Sequence, residues 1–212
     1  ITSGQGTNVI YVTWHTEGPQ TISINYTNAY GCTAASPTTR NIIVNPLPTA
    51  TITPDGPTTF CQGGSVLLTS SEGSSYLWSN GATTQSINVT TSGSYTVRVT
   101  DANGCSATSA VTSVTVHPLP VVTITGPQQI CAGSTSNVYT TQFGMTSDNW
   151  TVSAEGTITA SGTTNDNTVK VTWNTAGPQT ISVNYTDING CTAISPTLYN
   201  ITVIPLPTAT IS

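Results

Sequence analysis

The chain has very little charge. Only 5% of its 212 residues are charged, against about 25% in typical globular domains, and just three are Lys or Arg. So few basic residues exclude a phosphate-binding surface, and nucleic acid is therefore not an expected partner. The chain also lacks an apolar run as long as a membrane helix, so we expect no membrane insertion.

The residues that are abundant favour β-structure. About one residue in five is threonine, and Val, Ile and Tyr recur among turn-forming Gly, Asn and Pro. Apolar residues alternate with polar ones along short segments, which predicts half-buried strands. The clearest alternating runs are Tyr95, Val97 and Val99, and Ile181, Val183 and Tyr185. Short strands at turn-marked intervals predict all-β antiparallel sandwiches of about seven strands, with Trp78 and Trp150 in their cores.

The sequence contains an internal repeat. Forty residues that begin at Trp14 return at Trp173, 159 residues later, with 28 identical positions. The tripeptide PLP occurs at 46–48, 118–120 and 205–207. Because X-Pro bonds favour extended backbone, each PLP is expected to be a semi-rigid linker. A fixed period of this kind indicates tandem copies of one structural unit.

The linkers divide the chain into modules of two types. Residues 1–45 are the C-terminal half of a type B module, residues 46–117 a complete type A module, and residues 118–204 a complete type B module. Residues 205–212 are a linker and the start of the next module. Each complete module has the size of an independently folding domain. The predicted architecture is a linear array of tandem antiparallel β-sandwiches.

Residue types that commonly catalyse reactions are few and change between copies. His15 becomes Asn174 in the second copy of the repeat. His117 precedes one linker, and Asn45 and Ile204 take its place before the other two. The acids are scattered, without the close pair that glycosidases and aspartic proteases use. We therefore expect no enzyme activity and no catalytic residue.

Four of the five cysteines fall two to each complete module. Cys61 and Cys105 lie in type A, and Cys131 and Cys191 lie in type B. Cys32 aligns with Cys191, and its partner would precede residue 1. One cysteine near the start and one after the penultimate strand predict a disulfide inside each module, in an oxidising compartment. Buried free thiols are the alternative, and a zinc site is disfavoured because CxxC and histidine spacings are missing.

An Asp-x-Asn-Gly sequence precedes the second cysteine of each complete module. Oxygen atoms of Asp and Asn suit calcium, but a full acidic calcium loop is absent, so we expect no metal and no cofactor. The candidate ligands are Asp101, Asn103, Asp187 and Asn189. The other interpretation is a hairpin turn, in which the Asp side chain bonds its own backbone and Gly takes a positive φ. The partial copy has Asn28 and Gly31, which keeps the turn residues without the carboxylate and favours the turn.

Several motifs are typical of known surface modules. Type B carries ITSGQGTN before VTW, then GPQTISINYT and the Gly31-Cys32 pair, and so resembles the PKD-like domains of Bacteroidota surface proteins. Type A carries FCQGGSVLLTSS and YLWSNGATTQSINVTTSGSYTVRVTDANGC, and is similar to the immunoglobulin-like modules that alternate with them. Such arrays resemble the stalks of giant adhesins, including SprB-like gliding-motility adhesins exported by the type IX secretion system. The resemblance implies an extracellular protein of the bacterial cell surface.

The resemblance further implies a non-catalytic stalk segment whose partners are neighbouring modules of the same chain. Surface polysaccharide, a host or a substratum would be bound by regions outside these 212 residues. The alternative function is a string of carbohydrate-binding or accessory modules of a secreted multidomain hydrolase. Exposed coplanar aromatic rings would favour that alternative, whereas strand alternation predicts that Tyr26 and Tyr185 lie in the core.

Overall fold

The computed structural model describes residues 1–209, which contain strands and turns but no helix. No segment of this described range is a helix of the length and apolarity needed to cross a membrane. Two compact units are present. One comprises Ile1–Pro57, Val66–Val89 and Gly93–Val114, and the other comprises Thr58–Ser65, Thr90–Ser92 and the chain from Thr115 on. The module boundaries at the PLP linkers stay a prediction, and residues 210–212 of the predicted start of a next module lie outside the described residues.

Eleven strands lie in the described chain up to His117. They are β1 (Gly18–Ile24), β2 (Thr38–Val44), β3 (Ile52–Pro54), β4 (Thr59–Cys61), β5 (Val66–Ser70), β6 (Ser75–Trp78), β7 (Ser86–Val89), β8 (Gly93–Tyr95), β9 (Val97–Thr100), β10 (Ser106–Thr108) and β11 (Thr112–His117). The antiparallel sheets have the orders β1–β2, β3–β5–β7 and β10–β9–β6. β11 pairs antiparallel with β8 through its first three residues and parallel with β4 through its last three.

Seven strands follow within the described residues. They are β12 (Gln129–Cys131), β13 (Asn137–Thr140), β14 (Thr146–Val152), β15 (Gly156–Ser161), β16 (Thr168–Trp173), β17 (Gly177–Thr186) and β18 (Thr197–Ile204). One sheet has the order β12–β18–β17–β14, and the other has the order β13–β16–β15. Buried side chains of both sheets belong to one hydrophobic core, as in a β-sandwich. The predicted all-β fold of antiparallel sandwiches is confirmed.

The core follows the alternation predicted for the complete modules. Burial alternates along β9 and β17, and the predicted core tryptophans are also buried. These residues are Val97, Val99, Ile181, Val183, Tyr185, Trp78 and Trp150. Trp173 is fully buried at the end of β16, and a Cβ at Gly156, opposite it in β15, would collide with its indole ring. Glycine at that position therefore makes room for the indole ring of Trp173.

The first copy of the repeat forms the same hairpin without a buried residue. β1 and β2 pair in the register of β17 and β18, displaced by 159 residues. Tyr185 is 2% exposed, whereas its counterpart Tyr26 is 69% exposed. The prediction that both rings lie in the core is right for Tyr185 and wrong for Tyr26. Tyr185 is buried because β14 pairs with β17 and the sheet β13–β16–β15 shares a core with it. Within residues 1–209, β1 pairs only with β2, and no second sheet shares a core with β1.

Candidate functional site

The side chain of Asp187 closes the loop between β17 and β18. Its Oδ1 accepts the backbone N–H groups of Asn189 and Cys191, each at 2.9 Å. The N–H of Asp187 donates to the carbonyl of Cys191 at 2.8 Å, and Gly190 between them has a φ of 78°. Glycine adopts this left-handed conformation without steric cost. The turn therefore holds the backbone of Cys191 in a fixed position.

The same turn occurs at two further places. Oδ1 of Asp101 accepts the N–H groups two and four residues later, at 2.9 and 2.8 Å, and the second of these belongs to Cys105. The amide oxygen of Asn28 does the same at 3.0 Å for both, and the second N–H is that of Cys32. Because an uncharged amide replaces the carboxylate here, the turn does not require a charge. The hairpin-turn interpretation of these sequences is confirmed.

The calcium candidates do not form a shared ligand set. Within one turn, Nδ2 of Asn189 donates to Oδ2 of Asp187 at 3.5 Å, so the pair supplies one carboxylate and one amide. Calcium takes about six to eight oxygen ligands. Across residues 1–209, no group of three or more His, Cys, Asp and Glu side chains is placed to hold a metal ion. That the chain binds no metal, with Asp101, Asn103, Asp187 and Asn189 as the calcium candidates from the sequence, stays a prediction.

Hydrogen bonding in the turn lowers the pKa of Asp187 below its ordinary value of 3.8. The N–H of Cys191 has the largest effect, the N–H and side chain of Asn189 and the charge of His117 act in the same direction, and desolvation opposes them. The ionised side chain is therefore favoured in the folded state. Its support of the turn is present above about pH 3.8 and is lost as pH falls through the lowered pKa of the folded state.

The turn places Cys191 against Cys61. These two cysteines form a disulfide across 130 residues of sequence, with 5.6 Å between their Cα atoms. Cys61 ends β4, which belongs to the same compact unit as Cys191. Cys191 is fully buried. The bond therefore closes a loop that contains the PLP tripeptide at 118–120.

The predicted disulfides inside each module are wrong. Cys105 and Cys131 are free thiols in the structure, as is Cys32. Cys131 lies opposite Ile204, the last residue of β18, in the pairing of β12 with β18. Cys191 lies in the loop before the first residue of β18. Eight residues of strand place the two ends of β18 about 23 Å apart, and a disulfide requires Cα atoms within about 7 Å. The order of strands in the sheet therefore excludes the bond predicted from sequence spacing.

A buried carboxylate in β14 is absent from the sequence predictions. Asp148 is 2% exposed, and neither of its side-chain oxygens has a hydrogen-bond partner among residues 1–209. It lies in a β-bulge beside Ser147, whose φ is 57°. Burial raises the pKa of Asp148, and the charge of Asp166 raises it further. The alternation of β14 could have revealed this residue, because Asp148 shares its face with the core residue Trp150.

Substitution of Asp148→Asn is expected to stabilise the chain at neutral pH, by on the order of 1 kcal/mol, because it removes a charge that is buried without a partner. The folded-state pKa of Asp148 is raised, so the native chain itself gains stability as pH falls through that pKa. The advantage of the variant should therefore shrink on acidification and vanish below about pH 3.8. Urea unfolding as a function of pH measures both effects.

Asp187→Asn is the matched control for this experiment. Hydrogen bonds within its turn lower the pKa of Asp187, so the charged form is favoured in the folded state. This control should therefore lose stability at neutral pH rather than gain it. Equal effects of the two substitutions would show that the burial of Asp148 has no energetic consequence.

Residues 117–201, which include β12 to β17, match the family of PKD-like domains. No curated protein matches the chain. Among solved structures, the fibronectin(III)-like modules of Clostridium thermocellum CbhA are 16% identical over 76% of this chain and 99% of that chain, with a TM-score of 0.34. The N-terminal eight Ig domains of Down Syndrome Cell Adhesion Molecule isoform 1.30.30 are 13% identical over 91% of this chain and 36% of that chain, with a TM-score of 0.46.

A third similar structure is SGBP-B of the Bacteroides ovatus mixed-linkage glucan utilization locus, in complex with a mixed-linkage heptasaccharide. It is 14% identical over 89% of this chain and 54% of that chain, with a TM-score of 0.24. The match to PKD-like domains thus covers residues 117–201, and the described chain is all-β.

Proposed function

We propose that the chain is a non-catalytic segment of the stalk of a large secreted adhesin. The stalk extends a distal binding region away from a bacterial cell, for adhesion or gliding motility. One observation carries the proposal: the same hairpin, with the same cysteine turn, recurs 159 residues apart and is followed each time by the same linker sequence. Repetition of a structural unit adds length, whereas a catalytic or binding site needs only one copy. The PKD-like match of residues 117–201 supports the proposal.

The disulfide supports an extracellular location. Disulfides persist in oxidising environments and are rare in reducing cytosol. The Cys61–Cys191 bond also suits a protein under tension, because it keeps the residues between its two cysteines from being extended while it is intact. The partners of this segment in the proposed stalk are neighbouring modules, and the surface that is bound would be contacted elsewhere in the protein.

The test exploits the fact that a stalk acts through its length. In the cells that make the protein, deletion of residues 46–204 is expected to reduce adhesion or gliding while the protein still reaches the surface. Replacement of the same residues by two unrelated immunoglobulin-like domains of similar size should restore the activity. Antibody labelling of intact cells, upstream and downstream of the replaced segment, controls for export and folding.

The competing function as carbohydrate-binding or accessory modules predicts the opposite result. An unrelated spacer would then fail to restore activity, and the isolated 212-residue chain would bind sugars saturably on a glycan array. These two results together would contradict the stalk function and support the carbohydrate-binding function.

A further inference from the structure

The five cysteines occupy two structural positions. Cys32, Cys105 and Cys191 are turn cysteines, whose N–H groups are bound by the Asp or Asn side chain four residues earlier. Cys61 and Cys131 are strand-end cysteines, because they are the last residues of β4 and β12. The observed disulfide joins one residue of each kind.

The two strand-end cysteines have the same backbone environment. Cys61 lies opposite His117 in a parallel pair of strands, and Cys131 lies opposite Ile204 in another. In each case the residue after the cysteine donates its N–H to the carbonyl of the opposite residue, at 2.7 Å for His117 and 2.9 Å for Ile204. The N–H three residues after the cysteine returns to the cysteine carbonyl, at 3.0 Å for Cys61 and 3.1 Å for Cys131.

The residue opposite each strand-end cysteine lies directly before a PLP linker. His117 precedes the linker at 118–120, and Ile204 precedes the linker at 205–207. On the far side of the first linker, the hydroxyl of Tyr185 donates to the carbonyl of Val121 at 3.3 Å, and that of Thr197 donates to the carbonyl of Val122 at 2.7 Å. These contacts hold the loop of Cys191 beside the start of the segment that follows the linker. The disulfide is therefore a covalent bridge across that linker.

We propose that Cys131 makes the same bridge across the linker at 205–207, to the turn cysteine of a module that follows it. Residues 205–212 repeat residues 46–53 at seven of eight positions. Residues 46–53 lead into the module type whose turn carries Cys105. The partner of Cys131 is therefore a turn cysteine of that type, four residues after an Asp or Asn. The disulfide of Cys131 depends on neither a catalytic nor an adhesive role of the chain, and it would form in any oxidising compartment.

The chemistry is a simple oxidation. Cys131 is exposed and free, so its thiol is accessible. Two thiols lose two protons and two electrons as the S–S bond forms. A small-molecule disulfide such as glutathione disulfide takes them up and becomes two thiols.

The decisive experiment maps the disulfides of the protein as its own cells make it. Free thiols are alkylated without reductant, and trypsin then cleaves after Arg40, Arg98 and Lys170. The peptide of residues 99–170 should carry Cys131 bonded to a peptide with a cysteine four residues after Asp or Asn. Alkylated Cys131, or Cys131 bonded to Cys105, Cys191 or a small thiol, would overturn the proposal.

A second measurement uses the 212-residue chain lengthened by a second copy of residues 54–117, so that the sequence after Ser212 continues as it does after Thr53. After oxidation with glutathione disulfide, Cys131 should be bonded to the added copy of Cys105. A matched variant with Cys131→Ser should leave that added cysteine alkylatable. The Cys61–Cys191 bond in the same molecule reports correct folding. If Cys131 stays free while that bond forms, or if neither bond forms, the proposed repeating bridge is wrong.

Discussion

Reduction of the Cys61–Cys191 bond is expected to lengthen the chain by about 430–470 Å when it is unfolded by force, since each extended residue contributes about 3.3–3.6 Å. The reason is that 130 residues separate the two cysteines, and the intact bond excludes the residues between them from the stretched path. Single-molecule pulling from the two ends, with and without dithiothreitol, measures the difference in contour length.

The same bond should contribute strongly to stability. Closing a loop of 130 residues restricts the unfolded chain by about 5 kcal/mol in the loop-entropy model. Cys61→Ser is therefore expected to lower the free energy of unfolding by about this amount, measured by urea titration. Cys105→Ser and Cys131→Ser are matched controls, because both thiols are free in the structure and neither substitution opens a loop.

A tryptic map without reductant tests the pairing itself. The structure predicts that residues 41–98 and 171–212 are joined through Cys61 and Cys191, while the peptide of residues 99–170 is released from them. Pairing inside each module would instead join all three peptides, because Cys105 and Cys131 both lie in residues 99–170. That three-peptide product, or an unchanged contour length on reduction, contradicts the structure.

The pairing could not have been predicted from cysteine spacing. Two cysteines per module are consistent with one bond in each, and spacing does not show which end of the sheet a cysteine occupies. That information lies in the parallel pairing of β4 with β11 and of β12 with β18, which carries Cys61 and Cys131 to the ends of the strands before the linkers. Such short parallel pairs leave no periodic signal in the sequence.

Other parts of the molecule could be predicted because their causes are local. The turns at Asp101 and Asp187 follow from residue types four positions apart, and the core of the complete modules follows from period-two alternation. Alternation states which face of a strand is apolar, but not whether another sheet covers that face. Tyr26 and Tyr185 have the same sequence context and opposite burial for this reason.

Trp173 and Trp14 are the same residue type at the same place in the two copies of the repeat. Comparing them measures how much a second packed sheet adds to the free energy of unfolding. Trp173 is fully buried and packs over Gly156, whereas Trp14 is only half-buried. Trp173→Ala is therefore expected to lower the free energy of unfolding by about 3–5 kcal/mol, because it leaves a large cavity in a closed core.

Trp14→Ala should cost far less, since Trp14 is already partly exposed and its removal leaves no enclosed cavity. Urea unfolding followed by far-UV circular dichroism compares the two variants with the native chain. Equal losses would mean that the hairpin of β1 and β2 is as well covered in solution as that of β17 and β18. A large loss at Trp173 alone would show that the energetic value of a repeated residue depends on the strands packed against it, and not on the repeated sequence itself.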